Sequence, residues 1–177
     1  EVQYITFSGR YIYDAAEVAR RQKVIDAEVE KRVGALTGYD EYETVKLVYE
    51  DLILSTDYSM DSADNQNICS VFLDKRSVCN GYAKAAQYLL NDLGISCIIV
   101  NGTTNGDSHA WNIVEVDGAY YHMDTTWGDP SYYSSTESEK EGAPDIDYSY
   151  LCVTDAEIRK NHSVDPEFAL PACTSTK

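Results

Sequence analysis
A cysteine, a histidine and an aspartate suited to one shared reaction stand in order at Cys79, His109 and Asp124. A thiolate attacks a carbonyl carbon, an imidazole carries the proton to and from the reacting atoms, and a carboxylate fixes the imidazole tautomer and stabilises its cation. Taken singly, each has a plainer reading. A buried Cys is usually a small hydrophobe, and a His beside a carboxylate more often ties a fold together than does chemistry. The elements that must hold the three residues decide between these readings.

Ala110 to Val116 and Ala119 to Asp124 read as strands, and Asp117-Gly118 between them is a strong signal for a two-residue hairpin turn. Such a turn pairs Val116 with Ala119 and sets His109 opposite Thr126 and Trp111 opposite Asp124. Side chains alternate along a strand, so His109, Trp111, Asp124 and Thr126 share one face. His109 and Asp124 are then diagonal neighbours, with backbones about 7–8 Å apart and side chains within hydrogen-bond reach. A longer turn or a bulge would break this parity. His122 shares the parity of Asp124 and reads as structural.

A helix is expected from near Ser77 and Cys79, with Tyr82, Ala83, Ala86, Leu89, Leu90 and Leu93 on its buried face and Gly94 as its stop. Cys79 falls in the first turn, where partial positive charge favours a thiolate. The free N–H groups of that turn are natural oxyanion donors, and Gly81 leaves the backbone approachable. Ile95 to Val100 reads as a short buried strand.

Upstream, Asp14 and Glu17 mark a helix start, and Ile25, Val29 and Val33 recur at four-residue spacing on one face. Asp40 and Glu43 open a second helix, whose apolar stripe is Val45, Val48, Tyr49, Leu52 and Ile53. Ser55 to Ser70 and the Tyr-rich Ser131 to Tyr148 read as loops. Tyr150 to Val153 is a candidate further strand, and Thr154 and Glu157 cap a short last helix. The tail after His162 has little periodicity, and His162 itself reads as structural. Helices followed by strands indicate an α+β fold, with N-terminal helices packed on a small antiparallel sheet. The 177 residues suit one domain. Its helical part spans about 10–57, its catalytic core about 66–130 and its C-terminal segment 148–177.

Fourteen basic residues against thirty acidic ones give a net charge of −16, which repels nucleic acid and disfavours an anionic membrane surface. Solubility is the plain reading of that charge. No run approaches the ~18 apolar residues of a membrane span. The chain begins at Glu1 and ends at Lys177, and reads as a mature or excised segment, so the absence of a leader decides nothing. The five cysteines contain no C-x-x-C pair, so no zinc site is expected. Their odd number leaves at least one thiol free, a Cys152–Cys173 bridge stays open, and so does the redox compartment.

The stretch Val78-Cys79-Asn80-Gly81-Tyr82-Ala83 resembles the nucleophile motif of the transglutaminase-like superfamily, in particular of its bacterial members. His109-Ala110-Trp111-Asn112 resembles the family's histidine motif, and Asp124-Thr125-Thr126-Trp127-Gly128-Asp129-Pro130 its aspartate motif. The resemblance is strongest from about Gln66 to Pro130. It implies a papain-like α+β core, a nucleophilic Cys at the start of a central helix, and a Cys79–His109–Asp124 triad attacking amide carbonyls through a thioester. It implies no metal and no organic cofactor, and a peptide or protein substrate; the location expected for the chain is extracellular or cell-surface. Asn80 replaces the family's usual Gln after the nucleophile. Gln66 is the candidate side chain for completing the oxyanion hole, with Asn65 and Asn67 behind it. Trp111 and Trp127 are candidates for lining an acyl cleft, with core packing as the alternative, and Tyr120-Tyr121 and Tyr132-Tyr133 for an aromatic rim.

Two functions fit these residues. One is a cysteine-dependent hydrolase or acyltransferase, with peptidase-like hydrolysis favoured because nothing marks a dedicated amine site. The other is a non-catalytic cell-surface or cell-wall binding module that keeps the fold. Acceptor choice depends on cleft shape and water exclusion, which the three residues do not specify.

Overall fold
The computed structural model describes residues 4, 6, 8–9, 11–36, 40–129, 146–167 and 169–176. Helix α1 (Ala15–Leu36) starts where Asp14 Oδ1 accepts the Glu17 N–H at 2.8 Å. It buries Ile25, Val29 and Leu36 and packs Val33 at the core's edge. Asp40 caps α2 (Glu41–Ser55) through the Glu43 N–H, also at 2.8 Å. All five residues of the expected α2 stripe are buried.

The Asp- and Asn-rich stretch that reads as loop contains more order than its composition suggests. Strand β1 (Asp57–Tyr58) pairs in parallel with β2 (Arg76–Ser77), and a π-helical turn covers Ser70–Asp74. Elements this short carry no hydrophobic period to read. Helix α3 (Cys79–Asp92) begins at the expected residue, and Gly94 ends it in the left-handed region at φ +82°.

Four antiparallel strands form one sheet in the order β5-β4-β3-β6: β3 (Cys97–Thr104), β4 (Asp107–Val116), β5 (Ala119–Met123) and β6 (His162–Val164). Asp117-Gly118 turns with φ of 51° and 76°, and Val116 pairs with Ala119 as expected. Two positive φ angles match the hairpin's twist and suit Asp-Gly. Asn105-Gly106 makes a similar turn, with φ of 51° and 90°, and extends β3 well past the predicted end at Val100. The expected strand at Tyr150 to Val153 is instead a 3₁₀ turn (Tyr148–Tyr150) followed by a single bridge from Val153 to His122. Thr154 caps the short helix α4 (Asp155–Ile158), and β6 then pairs with β3.

The larger apolar core lies between the helices and one sheet face and runs from Ile25 to Cys152. A smaller core on the opposite side gathers Val100, Trp111, Ile113, Ile158 and Cys173. Asn112 points the other way from Trp111, as alternation requires, and donates to the Ala83 carbonyl of α3 at 2.9 Å. None of the five cysteines is disulfide-bonded, so no Cys152–Cys173 bridge forms. Among the described residues no helix is long and apolar enough to cross a membrane. Tyr132-Tyr133 and most of the loop containing them lie outside the described residues.

Candidate active site
Asp124 follows the last residue of β5. The ladder stops at the Asn112–Met123 pair because Asp124 Oδ1 captures the next free backbone donors, the N–H groups of Thr126 at 2.9 Å and Trp127 at 3.1 Å. Thr126 therefore sits in a turn and not opposite His109, a correction to the extended ladder. The diagonal contact nevertheless forms. His109 Nε2 and Asp124 Oδ2 are 2.7 Å apart, with side chains 5% and 1% exposed. A carboxylate only accepts, so Nε2 carries the proton and Nδ1 is the nitrogen left for another partner.

Cys79, half-buried at the start of α3, lies beside the His109 imidazole. Burial alone pushes its thiol up in pKa, but the His109 imidazole beside it, with the Ala110 and Asn80 backbone N–H groups, brings it below the ordinary thiol value. Burial likewise works against the His109 cation, and the hydrogen bonds to Asp124 and Cys79 outweigh it, raising the imidazole to about 9. For Asp124, burial raises the carboxyl, and hydrogen bonds from His109 and His162 pull it below the usual carboxylate range. These opposed shifts favour a thiolate facing an imidazolium over a thiol facing a neutral ring.

The first turn of α3 differs in detail from the expectation. Gly81 and Tyr82 both donate their N–H to the Val78 carbonyl, so they are not available to an oxyanion. The face of Gly81 where a Cβ would stand is filled by Ser77 Oγ, 1.8 Å from that position, so the glycine admits a neighbour and does not open the backbone to substrate. Gln66 is exposed and close to this turn. Its Oε1 accepts from Asn80 Nδ2 at 2.9 Å, its Nε2 donates to Asn65 Oδ1 at 3.2 Å, and its carbonyl accepts from Lys84 Nζ at 2.7 Å. Asn80, the departure from the family pattern, thus orients the Gln66 amide.

The tryptophans are packed and not cleft-facing. Trp111 is buried, stacks under His109 with centroids 6.0 Å apart, and donates its indole N–H to His122 Nδ1 at 3.0 Å. His122 therefore has Nδ1 bare and Nε2 protonated toward Asp155 Oδ1 at 3.1 Å. It is neutral, and burial, the largest influence on it, keeps its pKa down. Trp127 is also buried and meets His162 and Tyr150 at 5.1 and 5.4 Å between centroids. His122 is structural, as expected. His162 reads differently: its Nε2 lies 2.8 Å from Asp124 Oδ2, inside the site. The sequence signal available was scarcity: the chain has only three histidines, and His162 is one of them.

Among the described residues, two groups have the donor types of a metal site, His109–Asp124–His162 and His122–Asp155–Cys173. In each, hydrogen bonds within the protein already engage the histidine and carboxylate atoms.

The candidate site thus gathers a cysteine at the start of a helix, a histidine on a strand and an aspartate just past the end of the next strand. The sequence profile of the transglutaminase-like superfamily matches residues 29–125, more than half of the chain, and the protein belongs to that superfamily. Kyphoscoliosis peptidase of Mus musculus is 19% identical over 136 residues, covering 66% of this chain and 21% of the mouse protein. The chain thus spans about a fifth of that relative. A crystal structure of a TGase aligns with TM-score 0.54 and 21% identity over 73% of this chain and 38% of its own. A Cytophaga hutchinsonii protein, provisionally assigned as a cysteine protease, aligns with TM-score 0.51 and 17% identity over 67% of this chain and 45% of its own. The profile match gives membership of a cysteine-enzyme superfamily, and the solved structures give a papain-like transglutaminase fold.

Proposed function
We propose that residues 1–177 form one catalytic domain in which Cys79, His109 and Asp124 act as a triad on peptide or protein amides. The observation that carries the reading is the 2.7 Å Asp124–His109 hydrogen bond, with Cys79 lowered and His109 raised in pKa on its other side. The Cys79 thiolate adds to the amide carbon, and the tetrahedral intermediate collapses with loss of the amine. His109 supplies the amine's proton, leaving a thioester on Cys79. Water or a second amine then attacks the thioester. His109 takes the attacker's proton, and the thiolate departs facing the imidazolium so formed, which restores the starting pair and releases an acid or a new amide. Gln66 Nε2, oriented by Asn80, and the Asn80 N–H are the candidate oxyanion donors.

Hydrolysis is the favoured outcome: nothing in the sequence marks a dedicated amine site, and the mouse relative is named a peptidase. The non-catalytic alternative has no observation in its favour, since all three residues are present and in contact. The proposal includes an extracellular or cell-surface location, to be tested by cell fractionation.

The test compares alkylation of Cys79 with that of Cys69, Cys97, Cys152 and Cys173 across pH, in the native protein and in His109→Ala. One thiol reacting quickly below neutral pH, and losing that advantage in the variant, supports the triad. Uniformly slow reaction at all five cysteines sinks it. Peptide and glutamine-donor libraries then separate hydrolysis from amine transfer.

A further inference from the structure
Asp124 accepts four donors. Oδ1 takes the backbone N–H groups of Thr126 and Trp127, and Oδ2 is shared by His109 Nε2 at 2.7 Å and His162 Nε2 at 2.8 Å. His162 comes from β6, far along the chain from the three motifs, and its side chain is fully buried. Because the carboxylate only accepts, the His162 ring also presents Nε2–H to it. Its other nitrogen, Nδ1, lies 2.6 Å from Asn161 Oδ1, and Asn161 Nδ2 donates to Tyr150 Oη at 2.8 Å. The ring is wedged between Trp111, Trp127 and Tyr150, with centroids 5.0, 5.1 and 6.0 Å away, and lies 5.4 Å from His109. A side chain held at Nε2 and packed against three aromatic rings has little rotational freedom.

Resting on the triad reading above, we propose that His162 is a positioning residue for the reaction: its Nε2–H pins Asp124 Oδ2 where His109 meets it, and so keeps His109 Nδ1 aimed at Cys79. Backbone donors fix only Oδ1, so without His162 the second oxygen is held by His109 alone, the group it is meant to orient. The other titratable groups around the carboxylate are the Tyr49 and Tyr150 phenols, which burial pushes further up and keeps neutral, so they do not substitute for the imidazole. His122 and Asp155 pair with each other on the Trp111 side.

The test uses the full chain, with iodoacetamide as probe and peptide mass spectrometry to read Cys79. His162→Phe keeps the ring volume and removes the donor, while His162→Gln restores an N–H near the Nε2 position. In His162→Phe, alkylation of Cys79 should slow about tenfold near pH 6 and converge on the native rate near pH 9, where the thiol ionises unaided. His162→Gln should recover most of the loss. A histidine that merely fills space would leave the pH profile of the folded protein unmoved, and superimposable profiles overturn the proposal. Should His162→Phe fail to fold, ¹⁵N-resolved imidazole spectra of the native protein decide the matter. A slowly exchanging Nε2–H on both His109 and His162 supports the shared carboxylate, and its absence on His162 overturns it. If native Cys79 itself shows no selective reactivity, the triad reading fails. If native Cys79 is selective and the His162 variants match it, only this inference fails.

Discussion

Replacing Asp124 by Asn changes one oxygen of the site to an NH₂ group and leaves its size intact. Asn Oδ1 still accepts from Thr126 and Trp127, so the turn that ends β5 keeps both of its hydrogen bonds. At the Oδ2 position the new amide faces Nε2 of His109 at 2.7 Å and of His162 at 2.8 Å, both of them donors in the native protein. The clash resolves when each imidazole moves its proton to Nδ1. His162 accommodates this easily, because Asn161 Oδ1 already lies 2.6 Å from its Nδ1. His109 does not, because a proton on Nδ1 occupies the lone pair that should receive the thiol proton. Two charge-assisted hydrogen bonds become neutral ones, a loss of about 1–3 kcal/mol in stability. The chemical loss is larger: in a Ser-His-Asp triad the same exchange traps the wrong tautomer at a cost of about 10⁴ in turnover. Urea unfolding followed by circular dichroism reads the first quantity, and peptidase turnover with Cys79 alkylation near neutral pH reads the second. A folded variant that alkylates and turns over at the native rate would show that the tautomer argument is wrong.

Other outcomes follow from the same geometry. Alkylation needs only a thiolate, whereas amide cleavage also needs a proton on His109, which is held up to about 9. Turnover should therefore fall above that pH while alkylation persists, and parallel pH profiles of the two would contradict the assignment. The linked stabilities have opposite signs. Asp124 is lowered on folding, so its contribution is complete above the ordinary carboxylate value of 3.8 and fades as pH falls through its lower folded value. His109 is raised, so its contribution is complete below its ordinary value of 6.5 and fades as pH rises through about 9. Thermal melts across pH should show both slopes, with His109→Gln flattening the alkaline one. At Gly102 an added Cβ would stand 2.0 Å from the Ser163 carbonyl and 2.9 Å from the Trp111 ring. Gly102→Ala should cost about 1–3 kcal/mol in denaturant unfolding and should displace β6, slowing low-pH alkylation as His162 moves. A fully stable variant with native reactivity would show that β6 tolerates the shift.

Much of the site was legible because its placement depends on local rules. One turn type fixes the β4–β5 register, and register with alternation puts His109 and Asp124 side by side. One cap and one stripe fix α2, and Gly94 fixes the end of α3. The misreadings arose where long-range pairing decides. Asn105-Gly106 carries turn chemistry close to that of Asp117-Gly118, but polar Asn101 to Thr104 lacks the apolar run that marks a strand, and β3 extends there because β4 and β6 supply partners. The parallel β1–β2 pair joins residues on either side of a π-helical turn, a contact no short window contains. Parity places Trp111 on the face of His109, and cleft wall and core packing both fit that placement. What parity leaves open is which layer covers that face, and here α4 and the C-terminal segment cover it.

The boundary of the reacting unit also changes when donors are counted instead of motifs. The matched family profile, residues 29–125, contains Cys79, His109 and Asp124. Of the four donors that hold the Asp124 carboxylate, only His109 lies within it; Thr126, Trp127 and His162 lie beyond. A buried carboxylate without those donors would be drawn toward its neutral form by desolvation, and a neutral Asp124 gives His109 no reason to hold a second proton. On the proposed triad and the proposed role of His162, the charge state of the thiol near the start of the core is set in part by a strand near the end of the chain. Gly102 is the structural condition for that coupling: the missing side chain lets β6 approach β3 closely enough to carry His162 into the site. The C-terminal segment, which by periodicity alone reads as a tail, is on this argument part of the catalytic unit.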